Sequence, residues 1–417
     1  MSPPGVATLP AIMPGATLVP LGANDYSLGE ISVSFRRFIV IVIGSALGSI
    51  APAQGPPVPI PRSPMVDFNA LPRPPIPADP LDPVAGGAQT VQDAEQRLAA
   101  TTLLTKARDL SNVRAQPYQM KTSFTSSGGL PSDGSWMLED ISPSRGIYRW
   151  TAQGPNYSAV NLYTASTQGM LYSSQPGATI PLRLAQVRAA IFFSYPPMGP
   201  QASLRTAAGY LDGAAQHCVL TALAFGGQSF SGGRSWQESE YCVDSNTGLL
   251  TTYSPVPGLY VHYDYSAAIH FHGKIIPGAF TISEAGRSVI QAKTESVNDP
   301  GDLNSALFNP AGLSPAGVGR EMTPPGRSRS LIPLNGNFRQ TSSGTNPVIQ
   351  VVILHGNVAQ DGQLSELEVL ASTDAALNQN ALDRAKQRER MPFAQSQPGA
   401  TPQSHEMFFT FEFVTSQ

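Results

Sequence analysis

His270-Phe271-His272 spaces two imidazoles at i and i+2, on one face if the segment is a strand, and His262 is near enough in sequence to occupy the preceding strand. Three neutral imidazoles so placed could hold Zn or Cu. Spacing fixes no Asp or Glu beside them, so solvent-facing strand histidines are the simpler reading and no metal is assigned. Gly312-Leu313-Ser314-Pro315-Ala316 lacks the second glycine of a nucleophile elbow, and Pro315 spoils the strand-to-helix turn that such an elbow needs. There is no phosphate-binding loop, dinucleotide fingerprint or Cys-x-x-Cys. The acidic residues are scattered, so general acid–base chemistry has no named candidates. No catalytic residue and no cofactor is assigned, and an enzyme is not expected.

Cys218 and Cys242 are the only 2 cysteines. Between them, Gly226-Gly227-Gln228-Ser229-Phe230-Ser231-Gly232-Gly233 forms a turn-rich loop flanked by strand-like runs. A hairpin folded about Phe230 sets the cysteines opposite each other, as a cross-strand disulfide requires; two buried thiols are the competing reading.

The elements that must position these groups follow from composition and pattern. Of 417 residues 41% are hydrophobic and 13% charged, with Pro 39, Gly 38 and a formal charge of -3. No basic block supplies the electrostatic footprint of a nucleic-acid binder, so that partner is excluded. Arg36-Arg37, the apolar run Phe38–Ile50 and the exit Ala51-Pro52-Ala53-Gln54 read as an export signal. At 1.5 Å per residue the run covers roughly 21 Å, short of the ~30 Å hydrocarbon layer, which favours cleavage over anchoring. Prolines from Pro56 to Pro83 read as an extended spacer. Helical periodicity spans Thr90 to Leu110, through Val91, Ala94, Leu98, Thr102 and Leu103. Short alternating runs then predict an antiparallel meander, interrupted by a helix over Ile180–Phe193.

A helix, a meander and a second crossing helix, with Tyr241-Cys242-Val243-Asp244-Ser245-Asn246-Thr247-Gly248-Leu249-Leu250 and Ile276-Pro277-Gly278-Ala279-Phe280-Thr281-Ile282, resemble the half-barrel of periplasmic lipoprotein carriers of the LolA/LolB type. That resemblance implies an apolar concavity for an acyl chain or an extended peptide.

Residues 300–345 read as a second linker. Beyond it, Val348–Val358, a turn at Asp361-Gly362 and a returning strand Leu364–Ala371 predict a hairpin. Ser372-Thr373-Asp374 would cap a helix striped by Leu377, Ala381, Leu382 and Ala385. Phe409, Phe411 and Phe413 would load one face of a last strand. This order, with Met391-Pro392-Phe393-Ala394, resembles the TonB C-terminal domain. The resemblance implies an exposed sheet edge, carried by the strand of Phe409, Phe411 and Phe413, that takes an extended segment of an outer-membrane transporter by strand addition. Phe38–Ile50 contains no histidine, so motor coupling is not implied.

The expected fold class is α+β: a mainly antiparallel, half-barrel-like domain with helices at 89–299 and a small α+β domain at 346–417. Residues 1–54 would be the signal or short anchor and 55–88 the spacer. The leading expectation is a non-catalytic, TonB-family periplasmic protein in transmembrane transport, inner-membrane-associated only if Phe38–Ile50 is retained. The alternative is a lipid or lipoprotein carrier whose C-terminal domain is a docking adaptor.

Overall fold

The computed structural model describes residues 71, 82, 87–165, 169–192, 202–223, 234–301, 305–318, 322, 325–333, 347–359, 362–387 and 405–416. The predicted export signal and most of the proline spacer lie outside the described residues. Among the described residues no helix is long and apolar enough to cross a membrane.

A two-residue strand β1 (Gln89–Thr90) precedes helix α1 (Ala94–Ser111), whose first turn is closed by the Asp93 carboxylate accepting from Gln96 N at 2.7 Å. The meander follows: β2 (Tyr118–Ser126), β3 (Gly134–Ser144), β4 (Ile147–Gly154), β5 (Tyr157–Thr164) and β6 (Met170–Ser173). Helix α2 (Leu182–Phe192) then crosses to β7 (Ala202–Leu211), β8 (Ala214–Leu223), β9 (Ser239–Asp244), β10 (Leu250–Val256) and β11 (Leu259–Asp264). A small hairpin, β12 (Ile269–Phe271) with β13 (Lys274–Ile276), leads to β14 (Ala279–Glu284), β15 (Arg287–Asn298) and β16 (Ser314–Val318). The chain ends with β17 (Gly326–Pro333), β18 (Pro347–Val358), β19 (Leu364–Ser372), α3 (Asn378–Lys386) and β20 (His405–Ser416).

Fourteen strands form one antiparallel sheet in the order β1-β7-β8-β9-β10-β11-β14-β15-β2-β3-β4-β5-β6-β16. Period-two alternation decides its inner face: Tyr118, Met120, Thr122 and Phe124 of β2 are buried, while the residues between them are not. Against that face α2 is buried from Leu182 through Ala190 except at Ala185, so it lies within the molecule. Helix α1 buries Ala100, Leu104 and Ala107, not the predicted stripe through Leu98, which is 66% exposed.

The last strands form a four-stranded sheet in the order β17-β20-β18-β19, in which only β17/β20 is parallel. Alternation again sorts the side chains. Ile349, Val351, Ile353 and Phe408 join the same hydrophobic core as the inner face of the large sheet. Val352, Leu354, Phe409, Phe411 and Phe413 pack with Ala381 and Ala385 of α3. Residues 62–417 are one compact unit. The fold is α+β and dominated by antiparallel sheet, but residues 300–345, expected to be a linker, supply β16 and β17. Two residues of the predicted spacer also rest on this unit: Leu71 packs against the main core and Asp82 accepts from Tyr260 OH at 2.9 Å.

Candidate functional site

Strands β8 and β9 pair with Cys218 directly opposite Cys242, their Cα atoms 4.0 Å apart, and the two form a disulfide. Its immediate neighbour is Glu240, one pleat along β9, whose buried carboxyl is pushed up to about 8, first by burial and also by Asp82, against the pull of Arg234. Cys218, Glu240 and Cys242 are the one His/Cys/Asp/Glu grouping of ligating geometry among the described residues, and the disulfide commits both sulfurs.

The three histidines do not converge. The segment that would have to be one strand is instead the β12/β13 hairpin, turned at His272 (φ 46) and Gly273 (φ 73), so His270 and His272 share no strand face. His272 reaches Asp299 at 2.6 Å, and His262 shares a hydrogen bond with Thr252 Oγ1 at 3.2 Å. Ser314 is exposed and opens strand β16 opposite Ser173, so it does not sit on a strand-to-helix turn of its own.

The expected peptide-binding edge requires correction. Strand β20 has β17 on one side and β18 on the other, so its backbone groups are already paired along both borders. Phe409, Phe411 and Phe413 are at most 1% exposed and form the core beneath α3. Strand β17 was hidden in the sequence because Gly326-Arg327-Ser328-Arg329-Ser330 has no apolar alternation. Its arginines are what seat it: Arg329 meets Glu412 at 2.6 Å, and Arg327 donates to Gln237 O and Ser239 Oγ, both at 2.8 Å. The predicted hairpin is present, with Val358 opposite Leu364 and Gly362 at φ 86; Asp361 lies outside the described residues.

Where the four-stranded sheet meets the large one, charged residues not singled out in the sequence converge around the N-terminal end of α2. Arg183, fully buried, binds Glu284 at 2.8 Å, Asp133 at 3.0 Å and Glu368 at 3.4 Å. His355 bridges Glu284 at 3.0 Å and Glu406 at 2.7 Å, so an imidazolium can donate from both nitrogens. Glu366, at φ 52, accepts from Leu182 N at 2.6 Å and so caps α2 from β19. Burial pushes the His355 imidazole down, but its bonds to Glu284 and Glu406 dominate and hold it at about 9. Burial also raises Glu284, yet His355, Glu368 and Arg183 outweigh it and keep the carboxyl well below the usual range. Glu368 rises to about 8, through burial and then the adjacent Glu284.

At the other end of α2 the packing is incomplete. A cavity of about 300 Å³ opens between the C-terminal ends of α1 and α2, walled by Val113, Met120, Ile191, Phe192, Ile276 and Phe280. Three of its hydroxyls bond to backbone, Tyr263 OH donating to Ala190 O at 2.6 Å, Tyr265 OH to Leu250 O at 3.0 Å and Thr294 Oγ1 to Pro277 O at 2.8 Å, while Arg108, Ser111 and Asn112 add further polar groups to the wall. The lining thus presents apolar and polar surface in about equal measure. Arg108 stands at the rim, paired with Asp109 at 3.3 Å. A wider depression of about 580 Å³, lined by Phe124, Trp136, Met137 and Pro155 with Gln153, Gln291 and Lys293, is more open than this cavity, and its lining is the more apolar of the two.

No family model and no curated protein matches the chain. The likeness found is to solved lipoprotein-sorting and LolA-type proteins. A LolA superfamily protein from Nitrosomonas europaea is 11% identical, over 50% of this chain and 97% of that one, with a TM-score of 0.34. A putative outer membrane lipoprotein-sorting protein domain from Vibrio parahaemolyticus is 7% identical, over 50% and 95%, at 0.33. LprF from Mycobacterium bovis is 11% identical, over 50% and 97%, at 0.20.

Proposed function

We propose that this protein is a non-catalytic carrier that shelters the apolar chain of a lipid or lipoprotein in the cavity between α1 and α2. One observation carries the reading: a recess with the side chains of Val113, Met120, Ile191, Phe192, Ile276 and Phe280 on its wall and the hydroxyls of Tyr263, Tyr265 and Thr294 bonded to backbone. Such a recess gains about 0.8 kcal/mol for each methylene it takes from water. Among the described residues that line it there is neither a nucleophile–base pair nor a metal-ligand set.

The four-stranded sheet suits the role of an end wall. It closes the N-terminal side of α2, while the cavity opens at the C-terminal side. Strand addition to a transporter segment, the leading expectation from sequence, loses its support at β20, the strand expected to carry it, which is paired on both borders. The compartment we propose is the oxidising cell envelope, where a disulfide such as Cys218–Cys242 persists.

The test is extraction of the purified full chain with organic solvent, followed by mass spectrometry, alongside displacement of a fluorescent fatty acid. Co-purified lipid and saturable displacement are expected. A protein that carries no lipid and displaces no probe is not a carrier.

A further inference from the structure

The face of β8–β11 turned away from the main core is closed to water, although elsewhere the back of the same sheet is wet. We propose that Asp82 clasps the chain before β1 over the Cys218–Cys242 disulfide, and that opening this clasp turns the disulfide into a thiol-exchange site for a dithiol reductant while the protein stays folded. The site lies on the other face of the sheet from the cavity and does not depend on what the cavity holds.

Alternation defines the face. Val219, Tyr241, Val243, Tyr253 and Val261 point into the main core, so Cys218, Glu240, Cys242, Thr252, Ser254 and Tyr260 point the other way, yet each of these six is at most 1% exposed. On β2, β3 and β15 the same back face carries exposed Lys121, Thr125, Ser135 and Lys293. A run of polar contacts leads outward from the sulfur. Glu240 Oε1 lies 3.2 Å from Cys242 Sγ, Arg234 meets Glu240 Oε2 at 3.3 Å, and Tyr260 OH accepts from Arg234 at 3.2 Å and donates to Asp82 at 2.9 Å. Asp82 also hydrogen-bonds the Glu240 carboxyl. The chain is held on either side of Asp82, by Leu71 packed on the main core and by Ala88 O accepting from Arg205 at 3.0 Å. Asp82 binds through polar groups on the back of the sheet, so it can leave without opening the core on the front. Exchange needs a thiolate to reach one of the two sulfurs, which their burial forbids while the clasp is shut. Once it opens, one sulfur of the dithiol attacks a cysteine sulfur, the S–S bond breaks and the other cysteine leaves as a thiolate. The second sulfur of the dithiol then attacks the mixed disulfide and releases the first cysteine. The reductant ends as a disulfide, having given up two electrons and two protons, and Cys218 and Cys242 take both and end as thiols.

Reduction of the full chain by dithiothreitol at rising, subdenaturing urea, read by thiol alkylation and mass spectrometry, tests this. In the intact chain the rate should be slow and climb with urea as steeply as global unfolding does, since both sulfurs wait for the fold to open. Asp82→Ala should be reduced about tenfold faster or more without urea, at a rate that hardly changes as urea is added, the mark of a folded chain giving up its disulfide. Tyr260→Phe, which keeps the ring and removes the hydroxyl that donates to Asp82, should shift in the same direction. If Asp82→Ala keeps the rate and urea slope of the intact chain, or the intact chain is itself reduced quickly without urea, the clasp does not guard the disulfide and the proposal falls. A variant reduced faster with an unchanged urea slope has only lost global stability, which overturns it equally.

Discussion

His355 and Glu284 are 71 residues apart in the chain and 3.0 Å apart in space, His355 on the four-stranded sheet and Glu284 at the end of β14 in the large one. Both are essentially unexposed, and the second imidazole nitrogen meets Glu406. A buried imidazole with a carboxylate on each side is favoured as its cation, so this contact makes the seam between the sheets sensitive to proton concentration.

The direction of that sensitivity follows from the shifts. His355 is raised from 6.5 to about 9 and Glu368 from 4.5 to about 8, so the folded state holds both protons more tightly than the unfolded chain. The His355 contribution is complete below pH 6.5 and lost as pH rises to 9; that of Glu368 is lost between pH 4.5 and 8. Glu284, held low, contributes above 4.5 and is lost as pH falls further. Unfolding stability should peak near pH 4.5 and fall as pH rises to 9, by on the order of 3 kcal/mol from His355 alone. Urea titrations across this range check it, with His355→Gln expected to flatten the alkaline limb. An alkaline limb equally steep in the variant would assign it to other groups.

Arg183→Met should be the most damaging change at the seam. It removes the cation facing Glu284, Glu368 and Asp133 while keeping an apolar stem of similar length. Stranding buried carboxylates costs about 3–5 kcal/mol. Adding Glu284→Gln to the variant should restore part of the loss, because the orphaned charge is then gone. Equilibrium unfolding of the single and double variants decides it, and a single-variant loss under about 1 kcal/mol would mean water reaches the cluster.

Much of the architecture was readable because alternation and turn chemistry are local. The meander, the α2 crossing and the hairpin closed at Gly362 follow from neighbours within a few residues, and the face-to-face cysteines from one glycine-rich loop between two strand-like runs. What escaped depends on distant partners. Strand β17 is polar along its length and is fixed by Glu412 and by carbonyl and hydroxyl groups near residue 237, none of them close in sequence. His272 was assigned to a strand because its own residue type does not announce a left-handed turn, although Gly273 beside it does. The charged seam collects residues from 133 to 406, and the cavity is defined by where side chains stop short, so neither leaves a spaced motif.

The disulfide offers a separate handle on stability. It closes a loop of 24 residues between adjacent strands, which the loop-entropy account values at about 3 kcal/mol. Both sulfurs are buried, so reductant should act only on protein that has unfolded. Chains refolded with and without reductant should therefore differ by that amount in urea, and Cys218→Ala with Cys242→Ala should match the reduced form. Equal midpoints for the oxidised and reduced chains would show that β8 and β9 are held by pairing alone.

Gly258 and Gly213 separate the docking of the four-stranded sheet from ordinary backbone strain. Both are left-handed, at φ 88 and φ 81. A methyl group at Gly258 would lie 2.2 Å from Leu370 O of β19, whereas one at Gly213 meets nothing within 4 Å. Gly213→Ala should thus cost only the conformational penalty, about 1–2 kcal/mol. Gly258→Ala carries the same penalty and must in addition push back the β19 backbone, which cannot swing aside as a long side chain could. Its loss should exceed that of Gly213→Ala by about 2 kcal/mol or more, with faster amide hydrogen exchange along Leu364–Ser372. If the two variants lose the same stability and β19 keeps its protection, the strand is not seated against the β10–β11 turn.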